Sequence, residues 1–197
     1  MIVLQKNQLP KSLSSVLGSS CPEQLYVKGN IDALSLPSVG IVGTRKPSES
    51  TTEFIKDKVS ELADSHAIVS GLALGCDKIA HQSAINNDGI TIAVLPSGVN
   101  NVVPVMHRKL AKEIIETGGC LVSEYEPIAK ASKNKFIKRN RITATLSDKL
   151  IVAECNIKSG TMHTVKFASK YNIPIEVNTN KNPASQYILN NFKAKAI

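Results

Sequence analysis

The 197-residue chain has no tryptophan, and its four Phe and four Tyr bring aromatics to only 4% of the residues. A platform of stacked aromatics for single-stranded bases is therefore not expected, and any grip on nucleic acid should rest mainly on charge and backbone amides. Cysteine is also scarce. Cys21, Cys76, Cys120 and Cys155 lie far apart, with no C-x-x-C pair and no histidine at zinc-finger spacing. They read as small buried hydrophobes or free thiols, and no metal is expected. No apolar run approaches the roughly 20 residues of a membrane span. The N-terminal stretch MIVLQKNQLPKSLSS has no basic region followed by an apolar one, so a cytoplasmic protein without membrane contact is expected. Neither G-x-G-x-x-G nor G-x-x-x-x-G-K-[ST] occurs. Motif thus favours neither NAD binding nor ATP hydrolysis, and no cofactor is expected.

Acid is in short supply as well. The 24 Lys and Arg residues against 16 Asp and Glu leave a net charge of +8, which suits a polyanionic partner or simply solubility. The distribution says more. Lys130, Lys133, Lys135, Lys138, Arg139 and Arg141 fall within one short stretch that contains no acid.

Hydrophobic residues make up 42% of the chain, and its length is enough to bury a core. After a lead-in rich in Ser, Pro, Leu and Gly, with one strand-like stretch at Gln24–Val27, short β-branched runs begin. They are Val39–Val42, Ala67–Val69, Thr91–Leu95, Cys120–Val122, Leu150–Ala153 and Pro174–Val177. Near-continuous apolar character marks strands buried on both faces. Helical spacing appears between them at Thr51–Leu62, Cys76–Ala84, Met106–Ile115 and Gly160–Tyr171, and in the tail at Ser185–Phe192. The alternation predicts an α/β fold with a doubly wound, mostly parallel sheet and helices on both faces.

In such a sheet the loops after the strands carry function. Gly43-Thr44-Arg45-Lys46-Pro47-Ser48 combines close backbone approach, a hydroxyl and two cations, which suits a phosphate or a plain turn. In Ser70-Gly71-Leu72-Ala73-Leu74-Gly75-Cys76-Asp77, two glycines bracket small residues and Asp77 stands where it caps the next helix. One turn on is His81, where a structural hydrogen bond with Asp77 is expected in preference to a metal or acid–base pair. Leu95-Pro96-Ser97-Gly98-Val99 is small and leaves room for a ligand. Ser123-Glu124-Tyr125-Glu126-Pro127 reads as an acid–base site or a cap and turn. Ser159-Gly160-Thr161 opens a helix and offers another anion site.

The basic segment is the most informative. On a helix, Phe136, Ile137, Ile142 and Leu146 are expected to face the core while Lys135, Lys138, Arg139 and Arg141 project. That pattern fits a solvated face. Asn140 between two arginines fits multidentate contact with a phosphate or base edge better.

The ordered series Gly43-Thr44-Arg45, Ser70-Gly71-Leu72-Ala73-x-Gly75-x-Asp77 with His81, Thr91–Leu95, Ser123-Glu124-Tyr125, Phe136-x-x-Arg139-Asn140-Arg141-Ile142 with Leu146-Ser147, Glu154 and Ser159-Gly160 resembles the DNA-processing protein A (DprA, or Smf) family. Pro22-x-x-Leu25-Tyr26-Val27-x-Gly29 resembles that family's segment before the first strand. The resemblance covers roughly residues 20–180. It implies an extended Rossmann-like domain that binds single-stranded DNA as a homodimer, protects incoming DNA in natural transformation and helps load a RecA-type recombinase, without catalysis. By this resemblance the DNA- and phosphate-binding residues are Gly43, Thr44, Arg45, Ser70, Gly71, Gly75, Asp77, Lys135, Lys138, Arg139, Asn140, Arg141, Ser159 and Gly160. The change of pattern after Pro37 and the tail's helical spacing divide the chain into a lead-in at 1–37 packing on the core, a binding domain at 38–180 and a tail with one short helix at 181–197. Leu74 departs from the arginine usual at its position, and Ser97-Gly98-Val99 from the usual Thr-Gly-x. Two alternatives share the superfamily. One is a sensor of a nucleotide-derived ligand. The other is a nucleoside-monophosphate phosphoribohydrolase, whose P-G-G-x-G-T-x-x-E glutamate is replaced here by Thr or Val.

Overall fold

Every apolar run of the sequence becomes a strand, and each following amphipathic stretch becomes a helix laid back across the sheet. The computed structural model describes residues 1–180 and 182–197; Lys181, where the expected tail begins, lies outside the described residues. The lead-in forms β1 (Ile2–Gln5), α1 (Lys11–Leu17) and β2 (Gln24–Gly29). Then follow β3 (Ser38–Val42), α2 (Glu49–Leu62), β4 (Ala67–Ser70), α3 (Cys76–Asn86), β5 (Thr91–Val94), α4 (Arg108–Glu116) and β6 (Cys120–Ser123). The second half comprises α5 (Lys133–Thr145), β7 (Lys149–Val152), α6 (Thr161–Lys170), β8 (Ile175–Val177), α7 (Ser185–Asn191) and β9 (Ala194–Ala196). Helix α2 starts two residues before its apolar pattern because the Ser48 hydroxyl accepts from Thr51 N and caps it.

Among the described residues the strands make one nine-stranded sheet in the order β1-β2-β6-β5-β4-β3-β7-β8-β9. Strands β3 to β9 pair in parallel, while β2 joins β6, and β1 joins β2, antiparallel. This is a Rossmann-like α/β fold with a mixed, mostly parallel sheet. Side chains alternate between its faces. Val39, Ile41, Ile68 and Ile151 meet α2 and α3 on one face. On the other, Val69, Ile92 and Val94 pack against Ile142 of α5, and Leu150 and Val152 pack against Val165 of α6. Strands β3 to β6 are buried along their whole length, which is why they read as unbroken apolar runs.

The strand order decides where a ligand can enter. From β3 the chain winds through β4 and β5 to β6 on one side, then crosses back to β7 and β8 on the other. The switch in winding direction lies between β3 and β7. There the two following loops part and open a crevice beyond the carboxyl ends of the strands.

Candidate functional site

A cavity of about 430 Å³ occupies that crevice. The loop after β3 supplies Gly43, Thr44 and Arg45, the loop after β4 supplies Gly71 and Ala73, and the loop after β7 supplies Ser159 and Gly160. Helix α5 closes one wall with Phe136, Ile137, Arg139, Asn140 and Thr143, while Val42, Asp77, Thr161, His163 and Thr164 complete the lining.

Arg139 stands at the floor. It is only 5% exposed, its Nη1 donates to the carbonyl of Val94 at the end of β5, and its Nε has no hydrogen-bond partner. The charge run predicts that Arg139 projects into solvent; instead α5 turns it inward beneath the loops, where it is buried. Gly71 is what admits the guanidinium, because a Cβ there would lie 2.0 Å from Nη1. The nearby carboxylate is Asp77, whose Oδ2 accepts from Gly71 N (3.1 Å) and Ala73 N (3.2 Å), so it ties down its own glycine loop. Burial raises the Asp77 pKa against the opposing charge of Arg139, and burial lowers that of Arg139 against the opposing charge of Asp77. Gly75, with φ +74, turns the chain into α3 while the Cys76 amide donates to the Thr44 carbonyl, which locks the first two loops together.

The mouth differs in character. Arg45 is exposed, with its guanidinium 5.9 Å from the centre of the Phe136 ring. The Asn140 side chain donates to the Gly160 carbonyl (3.4 Å), and the Thr161 hydroxyl donates to the Gly43 carbonyl (2.9 Å). A Cβ on Gly160 would meet nothing within 4 Å, so the backbone that opens α6 faces open space. An exposed cation beside an accessible helix start has the chemistry to attract an anion.

Nine of the fourteen residues expected at the site line this cavity: Gly43, Thr44, Arg45, Gly71, Asp77, Arg139, Asn140, Ser159 and Gly160. Ser70 lies behind it, its buried hydroxyl donating to the Ile41 carbonyl (2.6 Å), and Gly75 shapes it from outside. Lys135, Lys138 and Arg141 stand elsewhere. Arg141, expected to project, is 4% exposed and grips Glu124 through Nη1 (2.6 Å) and Nη2 (2.8 Å), with Nε on the Ser20 carbonyl (2.9 Å). Lys138 joins Glu124 at 3.2 Å, and Lys135 lies over the Tyr125 ring at 4.6 Å. Glu124 is therefore neither acid–base catalyst nor cap. Burial favours its neutral form, but the Arg141 hydrogen bond and charge prevail and hold its pKa below the usual carboxylate range.

Other expectations are revised too. Phe136 and Ile137, assigned to the core, form the apolar wall of the cavity, and Thr143, His163 and Thr164 join the lining unannounced. The Leu95–Val99 loop does not line this cavity: Gly98 N donates to the Ala129 carbonyl (2.9 Å) and a Cβ on Gly98 would strike the backbone of Glu126 and Pro127, while Val99 borders a separate cavity of about 360 Å³. Glu154 caps α2's entry by accepting from Ser48 N and Oγ, each at 2.9 Å. His81 does not bond Asp77. Its Nδ1–H donates to Thr91 Oγ1 (2.6 Å), a hydroxyl already donating to the Ile68 carbonyl.

Burial, aided by His107 and Arg139, pushes the His81 pKa down from 6.5 to about 3. Between those values the unfolded chain binds a proton that the native state refuses, so stability falls as pH drops. From about pH 6 to pH 4 this group should remove roughly 1.4 kcal/mol per pH unit. Urea unfolding at pH 7, 6 and 5 measures the slope. His81→Asn, which keeps the donor to Thr91, should flatten it.

The model of the family described as DNA recombination-mediator protein A matches residues 1–197. Protein Smf of Borreliella burgdorferi is 33% identical over 176 residues, an alignment that takes in 89% of this chain and 55% of that protein. The structure of DNA processing protein A from Helicobacter pylori, studied for its unique single-stranded DNA binding mode, superposes with a TM-score of 0.89 at 32% identity, covering 100% of this chain and 90% of that one. The structure of the DprA of Streptococcus pneumoniae also scores 0.89, at 30% identity, covering 100% of this chain and 70% of that one. The chain spans 55% or less of the curated relatives' length in these alignments.

Proposed function

Because the chain belongs to the DNA recombination-mediator protein A (DprA/Smf) family, we propose that it binds single-stranded DNA through the cavity at the sheet's switch point and acts as a DNA-processing accessory to a RecA-type recombinase. The observation that carries this is the pairing of a buried arginine floor with an exposed cationic mouth. Arg139 lies below, and Arg45 lies above beside the open start of α6. The single-stranded DNA binding studied in the H. pylori relative supports the ligand class. The family's description as a recombination mediator supports the recombinase partner, and protection of incoming DNA is part of the same proposal.

The site works by holding its ligand. Where the phosphoribohydrolases carry a glutamate this chain has Thr164, which lines the cavity and neither takes nor gives a proton at neutral pH. We therefore read it as a non-catalytic DNA-binding protein, and the dimer that the family resemblance implies is part of the same proposal.

Fluorescence anisotropy with labelled oligo-dT, against a duplex of equal length at several salt concentrations, tests the function. Tight binding that favours the single strand and weakens steeply with salt is expected. Absence of binding at low salt would refute it. Arg45→Ala should weaken binding to all sequences and reduce the salt slope by about 0.7, the contribution of one phosphate contact on a single strand. An unchanged slope would make the Gly43–Arg45 loop a plain turn.

A further inference from the structure

The helices that cover the sheet run out before its strands do. On the face that carries Ile68, α2 and α3 lie over β3 and β4, and α4 lies over β5 and β6. The register continues that face onto β2 and β1, with Lys28 beside Leu121 and Val3 beside Tyr26. From the opposite face α1 packs Leu13 and Leu17 against Leu4 and Leu25. On this one α4 reaches no farther than Tyr26, and Val3 is left 37% exposed. Alongside α4 lies the cavity of about 360 Å³, floored by Val99, Val102, Ala111, Ile115 and Leu121. Arg108, Ala111, Lys112, Ile115 and Glu116 all border it. They stand at i, i+3, i+4, i+7 and i+8, one stripe along the nine-residue α4. The cavity is therefore a groove as long as the helix, roughly 13 Å.

Among the described residues three cations, Lys28, Arg108 and Lys112, border this groove against one acid, Glu116. Arg108 is exposed at the start of α4 and has no ion-pair partner among the described residues. Lys28 donates to a neutral acceptor, Asn100 Oδ1 (2.9 Å). Lys112 meets Glu116 at 3.3 Å, but both side chains are mostly exposed, and such a pair gives way at little cost. The positive end of the α4 dipole lies beside Arg108. Just before it Val105 and Met106 are 62% and 71% exposed, which adds apolar surface at that end.

We propose that this groove docks an amphipathic helix of a partner protein, apolar along one side and acidic along its flanks. A helix set beside α4 extends the α2, α3, α4 layer over β2 and β1. Its apolar side then rests on Val99, Val102, Ile115 and Val3, and its acids come within reach of Lys28, Arg108 and Lys112. Helices are recognised in grooves through apolar anchors at i, i+3, i+4 and i+7. Acids opposite the cations fix the register and speed the encounter. Strands β5 and β4 separate the groove from the cavity between β3 and β7, and the two linings share no residue, so both can be filled at once.

The probe is a labelled synthetic peptide of about 15 residues, long enough to be helical on its own, with leucines at i, i+3, i+4, i+7 and i+8 and glutamates flanking them. In fluorescence anisotropy it should bind the whole protein saturably. A scrambled peptide of the same composition, and one with lysine for each glutamate, should bind at least about tenfold more weakly. No saturable binding of the acidic helix, or equal binding of the scrambled peptide, would overturn the proposal. Arg108→Glu combined with Lys112→Glu changes two exposed positions. It should weaken the acidic helix at least about tenfold and tighten the lysine one; unchanged affinity for both would take the groove out of the contact. Excess unlabelled oligo-dT should leave the peptide bound, and displacement would place the peptide in the DNA cavity and overturn the proposal. Sedimentation of the parent and the double variant tests the other occupant. The same oligomeric state in both is expected, whereas a dimer present in the parent and lost in the variant would mean that a second copy covers this face, and would overturn the proposal.

Discussion

Arg141→Ala is expected to lower the unfolding free energy by about 3–5 kcal/mol, because it strips the partner from a buried carboxylate. Glu124 and Arg141 are 6% and 5% exposed at their side chains and bonded in bidentate fashion. Lys138 remains near Glu124 but is 60% exposed at its side chain, so solvent screens the charge it offers in compensation. The alanine variant also abandons the carbonyls of Ser20 and Lys138, which Arg141 now satisfies. The double change Glu124→Leu with Arg141→Met removes both charges at once and should recover most of the loss, since replacing a whole buried pair is often nearly neutral. Urea unfolding of the single and double variants measures both. In whichever of them folds, the salt slope of oligo-dT binding should equal that of the parent, because Arg141 already faces Glu124 and has no charge free for a phosphate. A stable Arg141→Ala protein with a slope reduced like that of Arg45→Ala would contradict this placement.

Arg139→Met should cost the fold less than Arg141→Ala and cost binding far more. Methionine matches the stem of the arginine but gives up the hydrogen bond to the Val94 carbonyl and the opposite charge that favours ionised Asp77, for an expected loss of about 1–3 kcal/mol. Adding Asp77→Asn removes the carboxyl left without that charge, while an amide oxygen can still accept from Gly71 N and Ala73 N. Part of the stability should therefore return, and the double-mutant cycle gives the coupling between the two side chains. Binding should not return with it. The floor has then lost its cation, so oligo-dT affinity should stay at least about tenfold below the parent, or roughly 1.4 kcal/mol. Full affinity in the refolded double variant would exclude Arg139 from the site.

These two arginines show where the sequence could and could not be read. They are two residues apart in α5, about 200° around the helix, so they face opposite ways. The charge run groups them together. Helical spacing separates them, because Phe136, Arg139, Asn140 and Thr143 fall at i, i+3, i+4 and i+7 and form the single stripe that lines the cavity. That signal was present in the sequence. What was absent was any sign that the stripe faces a crevice and not the core, which is how Phe136 and Ile137 came to be assigned inside.

The loop after β5 shows a different limit. Small uncharged residues look like space, but Gly98 packs against the backbone of Glu126 to Ala129, residues some thirty positions away. Likewise β1 and β9 lie at the two edges of the sheet, where one side of each strand is exposed and the apolar pattern is weak. Edge strands are stabilised by their single neighbour more than by their own composition.

By itself, then, the sequence determined the succession of strands and helices, the loops on which function falls and the glycines that keep those loops tight. Such features are local: period, turn chemistry and charge are all expressed within a few residues. The tertiary structure decided which loops share a crevice, through the switch in strand order between β3 and β7. It also decided which cations are free, since Glu124 at the end of β6 reaches Arg141 only because α5 packs over that part of the sheet. Pairings across the sheet depend on strand order and on how each helix is rolled, and burial then turns an arginine from a solvated charge into either a structural clamp or the floor of a site.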